Sequence, residues 1–449
     1  MKNYQRQLLI IGLYALIAVV MTWPVIAHVT THVAGQGGDP YQTLWRFEEK
    51  LQAFNWRVEF LGQGEPRLVN LSVWPWMWAH VLFGEPAGYN VVWLLSFVLS
   101  GYGMYLLAGE LFKKYGTSAF LAGLMYMLLP FHVAHSFGHF GAMQVAWIPL
   151  IIWAFLRWQR SGGVRWGAVT GLLVIIQAWS EHHYLLWLLI FGMIALLYFR
   201  TWPKQWAGVA VVTGILILLP YWPTVRLAFQ PGNSLELGSD QTTRFSADLL
   251  SYVTPAAFHS LWSGWVRELI SWRFTGNVSE ATHFVGWLPL LLLLFFHQQI
   301  PARQKKFWVM ITLVFLVISL GPRLYVGGFE THLPLPYALL SWLPGLAAVR
   351  AVGRAGVFVM VAVSILFGWV VHTQVERPRT IGLVAGLLAL EFLFLPLPMQ
   401  SARLSAAYDF VQTLPGKAVV ELPAATNYPA ASRALLASHV HGKEVVASI

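Results

Sequence analysis

The sequence contains no cysteine and few charged residues. Without cysteine the protein has no disulfide, no thiolate metal site and no cysteine nucleophile. Only 11% of its 449 residues are charged and 57% are hydrophobic, whereas charged residues make up roughly 25% of an average soluble domain. The mean hydropathy is +0.59. So few charges cannot cover the surface of a soluble protein of this length, and the composition therefore predicts a membrane protein.

Long apolar runs account for most of the chain, and about 20 apolar residues are enough to cross a bilayer as a helix. The runs predict about eleven transmembrane helices, at residues 8–26, 89–108, 118–130, 141–156, 166–179, 184–199, 206–222, 283–296, 307–320, 355–371 and 381–395. The first run follows Lys2 and Arg6 but is not followed by the small-residue cleavage pattern of a signal peptide, so we interpret it as a retained helix. The predicted fold class is an all-α polytopic membrane protein.

Basic residues are concentrated in one set of short loops. If the N-terminus is inside, the inner loops hold 14 basic residues and two acidic ones, Glu110 and Glu376. The basic residues are Lys2, Arg6, Lys113, Lys114, Arg157, Arg160, Arg165, Arg200, Lys204, Arg303, Lys305, Lys306, Arg377 and Arg379. This positive-inside distribution predicts a multi-pass protein of the plasma (inner) membrane with a cytoplasmic N-terminus. It also explains the net charge of +10 without a nucleic-acid partner.

One apolar segment, residues 68–83, is ambiguous. If it crossed the membrane, every later loop would change sides and 12 of these basic residues would lie outside. The charge distribution therefore predicts an interfacial or re-entrant helix. Its Trp74, Trp76 and Trp78 suit the headgroup level, where aromatic side chains are enriched.

The predicted outer segments are long, whereas the inner loops have about ten residues or fewer and contain no Gly-rich phosphate-binding motif. Outer loops at 27–88, 223–282 and 321–354 belong to a transmembrane domain that covers residues 1–395. Residues 396–449 predict short helices at 406–414 and 428–436 and strands at 418–422 and 444–449. We interpret them as the start of an extracytoplasmic α/β domain that is truncated at residue 449. We expect the functional site on the outer face, because loops long enough to form one occur there.

The first outer loop carries a Gly-rich stretch that ends in Asp39, Pro40 and an amphipathic helix. In a structural interpretation, Asp39 caps the helix, Pro40 lies in its first turn and Gln42 completes a capping box. In a functional interpretation, the Asp39 carboxylate is held just above the membrane and acts as a general base. The local pattern favours the cap, and both interpretations can hold together.

Three histidines follow the third predicted span. His132, His135 and His139 have i, i+3, i+7 spacing, which places side chains on one face of a helix. Gly138 and Gly141 disfavour a regular helix over this stretch. The pattern favours an interfacial hydrogen-bonding cluster and leaves open a divalent metal site.

Polar residues in two other outer segments are further candidates. Glu181 and His182 lie between two spans, where a carboxylate is either a costly functional group or a hydrated loop residue. Tyr252 and Glu280 lie in the 223–282 loop. Glu280 directly precedes a span, where it either pairs with a basic group or a metal or complements the helix dipole.

A pair of arginines marks the end of the 321–354 loop. Arg350 and Arg354 are four residues apart, which predicts that they share one helical face. Guanidinium groups bind phosphate oxygens in a bidentate manner. The alternative is a pair of arginines that reach to the membrane interface. The outer location and Gly353 favour phosphate binding.

The order of several segments resembles a known superfamily. The segments are GGDPYQTLW (37–45), YNVVWLLSFVLSGYGMYLLAGEL (89–111), FLAGLMYMLLPFHVAHSFGH (120–139), FSADLLSYVTP (245–255), SLGPRLYVGG (319–328) and LPLPYALLSWLPGLAAVRAVGRAG (333–356). Together with the first helix they resemble the GT-C membrane glycosyltransferases, near the bacterial YfhO-like and dolichyl-phosphate-mannose mannosyltransferase-like groups. The resemblance implies a GT-C-like fold over most of residues 1–400.

The resemblance also implies a function. It implies an inverting glycosyltransferase that takes a sugar from a polyprenyl-phosphate donor and transfers it, on the outer face, to a glycan, lipid or protein acceptor. In such enzymes the first-loop Asp activates the acceptor hydroxyl, and this role falls on Asp39. Many members carry a second acidic residue directly after it, where this chain has Pro40. No cofactor is implied besides the lipid-linked donor.

Two other function classes stay open. One is a lipid or sugar transporter or flippase, and the other is a non-catalytic assembly protein of cell-envelope glycan synthesis. Transporters tend to have internal repeats and broken helices near the membrane midplane, and the sequence has no convincing repeat. An outer cavity that contains Asp39 and Arg350 would favour the enzyme, whereas a midplane cavity would favour the transporter.

Overall fold

The structure, a computed structural model, describes residues 3–63, 65, 68–202, 205–228, 239–269, 273–340, 349–374, 378–421 and 428–446. Most of these residues are helical. In chain order the helices are α1 (Asn3–Met21), α2 (Asp39–Gln52), α3 (Trp56–Glu59), α4 (Met77–Phe83), α5 (Ala87–Phe112), α6 (Thr117–Leu128), α7 (Pro130–Ser136), α8 (Trp147–Ser161), α9 (Val164–Ser180), α10 (His182–Phe199), α11 (Trp206–Ala228), α12 (Ser239–Arg244), α13 (Ser263–Leu269), α14 (Trp287–Phe296), α15 (Ala302–Ser319), α16 (Tyr337–Leu340), α17 (Gly356–Gln374), α18 (Pro378–Glu391), α19 (Ala407–Thr413) and α20 (Tyr428–His441).

Five of the described helices are long and apolar enough to cross a membrane: α1, α5, α10, α11 and α17. A sixth span results if α6 and α7, which meet at 42°, are counted together. Other apolar runs form shorter helices, such as α8 with 15 residues and α14 with 10. The structure therefore confirms a helical protein with several spans in the part of the chain that it describes. The count of eleven stays a prediction.

The helices α5 and α17 form the centre of the bundle. Helix α5 packs against α1, α4, α6 and α8, and α17 packs against α6, α14 and α15. Glycine permits this close approach, because a Cβ at Gly101 or Gly123 would overlap the Tyr14 ring of α1. The Tyr14 hydroxyl donates a hydrogen bond to the Phe120 carbonyl at 2.9 Å. The buried Tyr14 of α1 therefore contacts both α5 and α6.

A proline interrupts the helix between α6 and α7. Pro130 has no N–H group to continue the hydrogen bonding of α6, and it forces the preceding Leu129 out of the helical region. Leu129 accordingly has a ψ angle of 132°. Helix α7 leaves at 42° to α6 and carries His135 toward the polar cluster described below.

The loops predicted to lie on the inner and outer sides meet at opposite ends of the bundle. At one end, Arg157 and Arg160 of α8 both donate hydrogen bonds to Glu110 near the end of α5. At the other end, Arg354, which precedes α17, contacts Glu181 between α9 and α10. The structure agrees with the predicted division of these loops into two sides. Which side faces out stays a prediction.

Three two-stranded sheets lie outside the helix bundle within the described residues: β1 (His32–Ala34) with β4 (Met399–Ser401), β2 (Arg323–Val326) with β3 (Phe329–Pro334), and β5 (Ala418–Val419) with β6 (Glu444–Val445). The first two pairs are antiparallel and the third is parallel. The order α19, β5, α20, β6 matches the predicted α/β segment. This segment packs on the predicted first outer loop, because α20 contacts α2 and β4 pairs with β1.

The ambiguous segment 68–83 forms a 3-10 turn (Trp74–Trp76) followed by the seven-residue α4. A helix of seven residues is about 10 Å long, against a hydrocarbon core of about 30 Å. The structure therefore agrees that this segment does not cross the membrane as a helix. Helix α4 packs beside the start of α5, where Gly88 lies against Ala79 and His80.

Candidate functional site

The Gly-rich turn before α2 lies against the segment that follows α7. Gly35 and Gly37 have φ angles of 103° and 85°, which glycine adopts without the strain that a Cβ would cause. Between them, the Gln36 N–H donates to the Phe137 carbonyl at 2.6 Å. This contact places Asp39, at the start of α2, next to His139.

Asp39 does not cap α2. Gly38 is the N-cap residue, and the Gln42 N–H donates to its carbonyl at 3.1 Å. The capping interpretation is therefore wrong, because the helix begins one residue earlier than the pattern indicates and the carboxylate lies within the first turn. Asp39 Oδ1 instead accepts a hydrogen bond from the Tyr428 hydroxyl at 2.6 Å. Asp39 Oδ2 lies 3.7 Å from His139 Nε2.

Arg354 joins two carboxylates from distant parts of the chain. Its Nη1 donates to Glu181 Oε2 at 3.0 Å, and its Nη2 and Nε donate to Glu280 Oε1 at 2.6 and 2.9 Å. The side-chain exposures are 13% for Arg354, 9% for Glu181 and 3% for Glu280. Such buried charges require paired and hydrogen-bonded partners, and these three residues supply them to one another.

The electrostatics keep both carboxylates ionised. Burial alone would raise the pKa of Glu280, but the Arg354 guanidinium lowers it well below its ordinary value. Burial also opposes ionisation of Glu181, and His183 with Arg354 lowers its pKa in the same way. For His139, burial and the nearby Arg354 lower the pKa, so the imidazole is neutral at pH 7 and able to bind a metal.

Three side chains at the centre of this cluster have unpaired buried atoms. They are His135 Nε2, His139 Nδ1 and Glu280 Oε2, which have no hydrogen-bond partner. One potential ligand atom from each residue lies within 4.8 Å of the others. His135 Nδ1 lies 2.8 Å from the Phe131 carbonyl, which can only accept, so Nδ1 carries the proton and Nε2 presents a lone pair. This donor set fits a divalent cation.

A cavity of about 210 Å³ opens beside these groups. Its walls include Asp39, Arg46, His139, Glu181 and Arg354. The volume is smaller than the roughly 300–1,000 Å³ of pockets for drug-sized ligands, which favours a small polar head group as the occupant. Further lining residues are Thr43, Val69, Asn70, Leu71, Ser72, Gly138, Phe140, Gly141, Ala142, Trp179, Ser180, His182 and Tyr221.

The structure brings together most of the predicted site residues. Asp39, His139, Glu181, His182 and Arg354 line the cavity. His135 and Glu280 contact these residues from behind.

Other predicted residues lie elsewhere. The Tyr252 hydroxyl shares a hydrogen bond with the Ser319 hydroxyl at 2.7 Å and lies beside Gly356, two residues after Arg354. His132 contacts Ser96 and the Met127 carbonyl, so the three histidines do not act as one set.

The two arginines do not share a helical face. Arg354 lies in a 3-10 turn (Val352–Ala355), whereas Arg350 precedes Ala351, whose φ and ψ of −109° and 75° interrupt the helix. Arg350 is exposed, and its guanidinium lies 4.6 Å from the centre of the Phe245 ring. The shared-face prediction is therefore wrong, because it assumed a regular helix through Ala351.

Several site residues were missed from the sequence. Tyr428 is 389 positions from Asp39, and no local pattern connects them. His183 contacts Glu181 through its ring, and its adjacency to His182 was the available signal. Arg46 lies two turns after Asp39 on α2, so helical spacing could have identified it.

These features define a helical membrane protein with a polar cleft at one end of its helix bundle. The chain belongs to the family described as a domain of unknown function, DUF6311, whose sequence profile matches residues 71–393. A comparison with curated proteins finds no match. Among solved structures, the chain is similar to the Archaeoglobus fulgidus oligosaccharyltransferase in its apo form, with 11% identity and a TM-score of 0.49. The match covers 100% of this chain and 65% of the archaeal chain.

Proposed function

We propose that the protein is an inverting glycosyltransferase. It would move a sugar from a polyprenyl-phosphate donor to a glycan, lipid or protein acceptor at the outer membrane face. The observation that carries the proposal is the position of Asp39, whose carboxylate is not used as a helix cap and lines a cavity together with Arg46 and Arg354. A carboxylate base beside cationic groups is what transfer from a phosphate leaving group requires.

In the proposed reaction, Asp39 Oδ2 accepts the proton of the acceptor hydroxyl. The acceptor oxygen forms a bond to the anomeric carbon of the sugar. The bond from that carbon to the lipid phosphate breaks, and its electron pair stays with the phosphate oxygen. Attack and departure on opposite faces of the sugar invert the anomeric carbon. One positioned base and a good leaving group are sufficient for this step.

Arg46 is a better candidate for the donor phosphate than Arg350. It lines the cavity, and its described hydrogen bond is a long one of 3.4 Å to Gln42 on its own helix. Arg354 also lines the cavity, but Glu181 and Glu280 already accept hydrogen bonds from three of its nitrogens. We therefore propose that Arg46 contacts the phosphate and that Arg354 mainly positions the two carboxylates.

We further propose a divalent cation bound by His135, His139 and Glu280. The unpaired buried atoms of these residues support this site. Asp39, Glu181 and Glu280 also outnumber Arg46 and Arg354, so a cation would make the site receptive to a phosphate. When bound, it would supply positive charge for the phosphate leaving group. Loss of transfer after chelation and recovery with Mn²⁺ would support this site, and activity unaffected by thorough chelation would contradict it.

The proposed function is tested by incubating the purified protein with a panel of radiolabelled polyprenyl-phosphate sugars and membrane-derived acceptors. We expect transfer from at least one donor and a product with the anomeric configuration opposite to that of the donor. Retention of configuration would contradict the single-step mechanism. Donor movement across vesicles without product would instead favour the transporter class.

A further inference from the structure

A second polar cluster lies away from the Asp39 cavity. It contains Glu48 on α2, His80 on α4 and Glu85 in the turn between α4 and α5. Glu48 is nine residues after Asp39, which is about 13 Å along a helix and about half a rotation around it. The cluster is therefore on the opposite face of α2 from Asp39, and none of the roles proposed above uses it.

The geometry of this cluster leaves two buried atoms without partners. His80 Nε2 lies 2.9 Å from Glu48 Oε1, and the His80 side chain is 3% exposed. His80 Nδ1 and Glu85 Oε1 are buried and have no hydrogen-bond partner. One potential ligand atom of each residue lies within 4.8 Å of the other two. A native structure rarely leaves such atoms unpaired, because an unsatisfied buried polar atom loses its hydrogen bonds to water and gains none in return.

Two carboxylates and an imidazole lie together in this cluster, with one potential ligand atom from each within 4.8 Å of the others. Two carboxylates this close require a proton or a cation to offset their like charges. A shared proton would join only one oxygen of each carboxylate, whereas a cation would bind both carboxylates and the imidazole.

We propose that Glu48, His80 and Glu85 bind a divalent cation, with Zn²⁺ as the expected ion. One imidazole and two carboxylates form a ligand set that Zn²⁺ accepts, with a fourth position for water. Ligand atoms about 2.0–2.2 Å from a tetrahedral ion are about 3.3–3.6 Å apart, and side-chain rotation closes the remaining gap.

The cation would fasten α2 to the α4–α5 turn. Its three ligands come from three neighbouring parts of the chain: α2, α4 and the turn that precedes α5. The Phe47 ring stacks on His80 at 5.2 Å, so apolar contact already aligns α2 with α4. The site would thus be structural, and it does not depend on the proposed transfer reaction.

The test measures bound metal in the purified protein by mass spectrometry, after stripping with a chelator and reloading with Zn²⁺. We expect Glu85→Gln and Glu48→Gln to bind about one equivalent less Zn²⁺ than wild type. Glu49→Gln is the matched control, because Glu49 lies next to Glu48 on α2 and is outside the cluster. His139→Gln separates this site from the cluster near Asp39, because it leaves the Glu48 site intact.

Thermal unfolding gives a second measurement on the same proteins. We expect Zn²⁺ to raise the melting temperature of wild type and Glu49→Gln, since a ligand that binds the folded state stabilises it. In Glu85→Gln we expect a smaller rise in melting temperature, because only the cluster near Asp39 would still bind Zn²⁺. In the double variant Glu85→Gln/His139→Gln we expect Zn²⁺ to cause no rise. Equal Zn²⁺ content in wild type and Glu85→Gln would overturn the proposal. A Glu85→Gln protein as stable as Zn²⁺-loaded wild type would also overturn the proposal. Glutamine mimics a protonated carboxyl, so this result would mean that the cluster holds a shared proton and no cation.

Discussion

Arg354 holds the polar cleft together through charge. It is the shared partner of Glu181 and Glu280, which lie on segments about one hundred residues apart. We expect Arg354→Ala to destabilise the protein by about 3–5 kcal/mol, because it leaves two buried carboxylates without a cation. The measurement is the thermal unfolding midpoint in detergent.

Arg350 provides the matched control for this substitution. It is exposed and stacks on Phe245, so Arg350→Ala should change the midpoint little. Equal effects of the two substitutions would contradict the assignment of Arg354 as the residue that joins the carboxylates.

Tyr428 is predicted to orient Asp39. Its hydroxyl donates to Asp39 Oδ1, which leaves Oδ2 directed toward His139 and the cavity. We expect Tyr428→Phe to lower kcat about tenfold, because the lost hydrogen bond to a charged group is worth about 1.5 kcal/mol, and to leave the donor KM unchanged. The control is Tyr408→Phe, which removes a tyrosine–carboxylate hydrogen bond to Glu421 in the same C-terminal segment. A Tyr428→Phe enzyme with wild-type kcat would remove Tyr428 from the mechanism.

At the residue scale, sequence reasoning identified the charged residues of the site better than their partners. Asp39, Glu181 and Arg354 were predictable because charges next to apolar runs are costly and stand out. The contact between Asp39 and Tyr428 was not predictable, because it depends on how α20 packs on α2. The capping prediction failed at one residue, because Gly38 already has helical φ and ψ and is itself the N-cap.

At the scale of helices, breaks in the apolar runs position the site. Pro130 separates α7 from α6 and turns His135 toward Glu280. Glu181 ends α9 and caps α10 by accepting a hydrogen bond from the His183 N–H. These break points were predictable from proline and charge, whereas the lengths of the helices were not. Hydropathy counts apolar residues, and it does not reveal where a turn such as Trp74–Trp76 interrupts a helix.

The non-spanning state of residues 68–83 can be tested by labelling. The chain has no cysteine, so a single introduced cysteine is a clean probe. We expect Lys113→Cys and Lys114→Cys, both exposed at the end of α5, to resist an impermeant maleimide in intact cells. Lys417→Cys in the predicted outer segment should react and serves as the control. Labelling at positions 113 or 114 from outside would contradict the predicted topology.

At the scale of the whole molecule, the segment that contains β1 and α2 packs against the C-terminal segment beside the cleft. The pairing of β1 with β4 and the packing of α2 on α20 join chain segments from both termini. The sequence predicted the elements of the C-terminal segment, and its description as the start of a domain stays a prediction. The packing on α2 was not predictable, because the contacts link residues more than 350 positions apart.

The stability of the folded protein should depend on pH through the buried carboxylates. The folded-state pKa values of Glu181 and Glu280 are below the ordinary value of 4.5, so the folded protein binds fewer protons than the unfolded chain in that range. Their contribution is present above about pH 4.5 and is lost as the pH falls toward the folded-state values. We expect the melting temperature of wild type to fall more steeply below pH 4.5 than that of Glu181→Gln. Parallel curves would contradict this assignment.

The central claim is that Asp39 is the base of a sugar transfer, and Asp39→Asn tests it most directly. Asparagine keeps the size of the side chain and an oxygen that accepts the Tyr428 hydrogen bond, but it cannot take the proton of the acceptor. The measurement is the transfer rate with the donor identified from the panel, in protein shown to be folded by its elution profile and melting temperature. We predict a loss of about 10²–10⁴-fold in kcat with near-native stability. Transfer at the wild-type rate by folded Asp39→Asn would contradict the account.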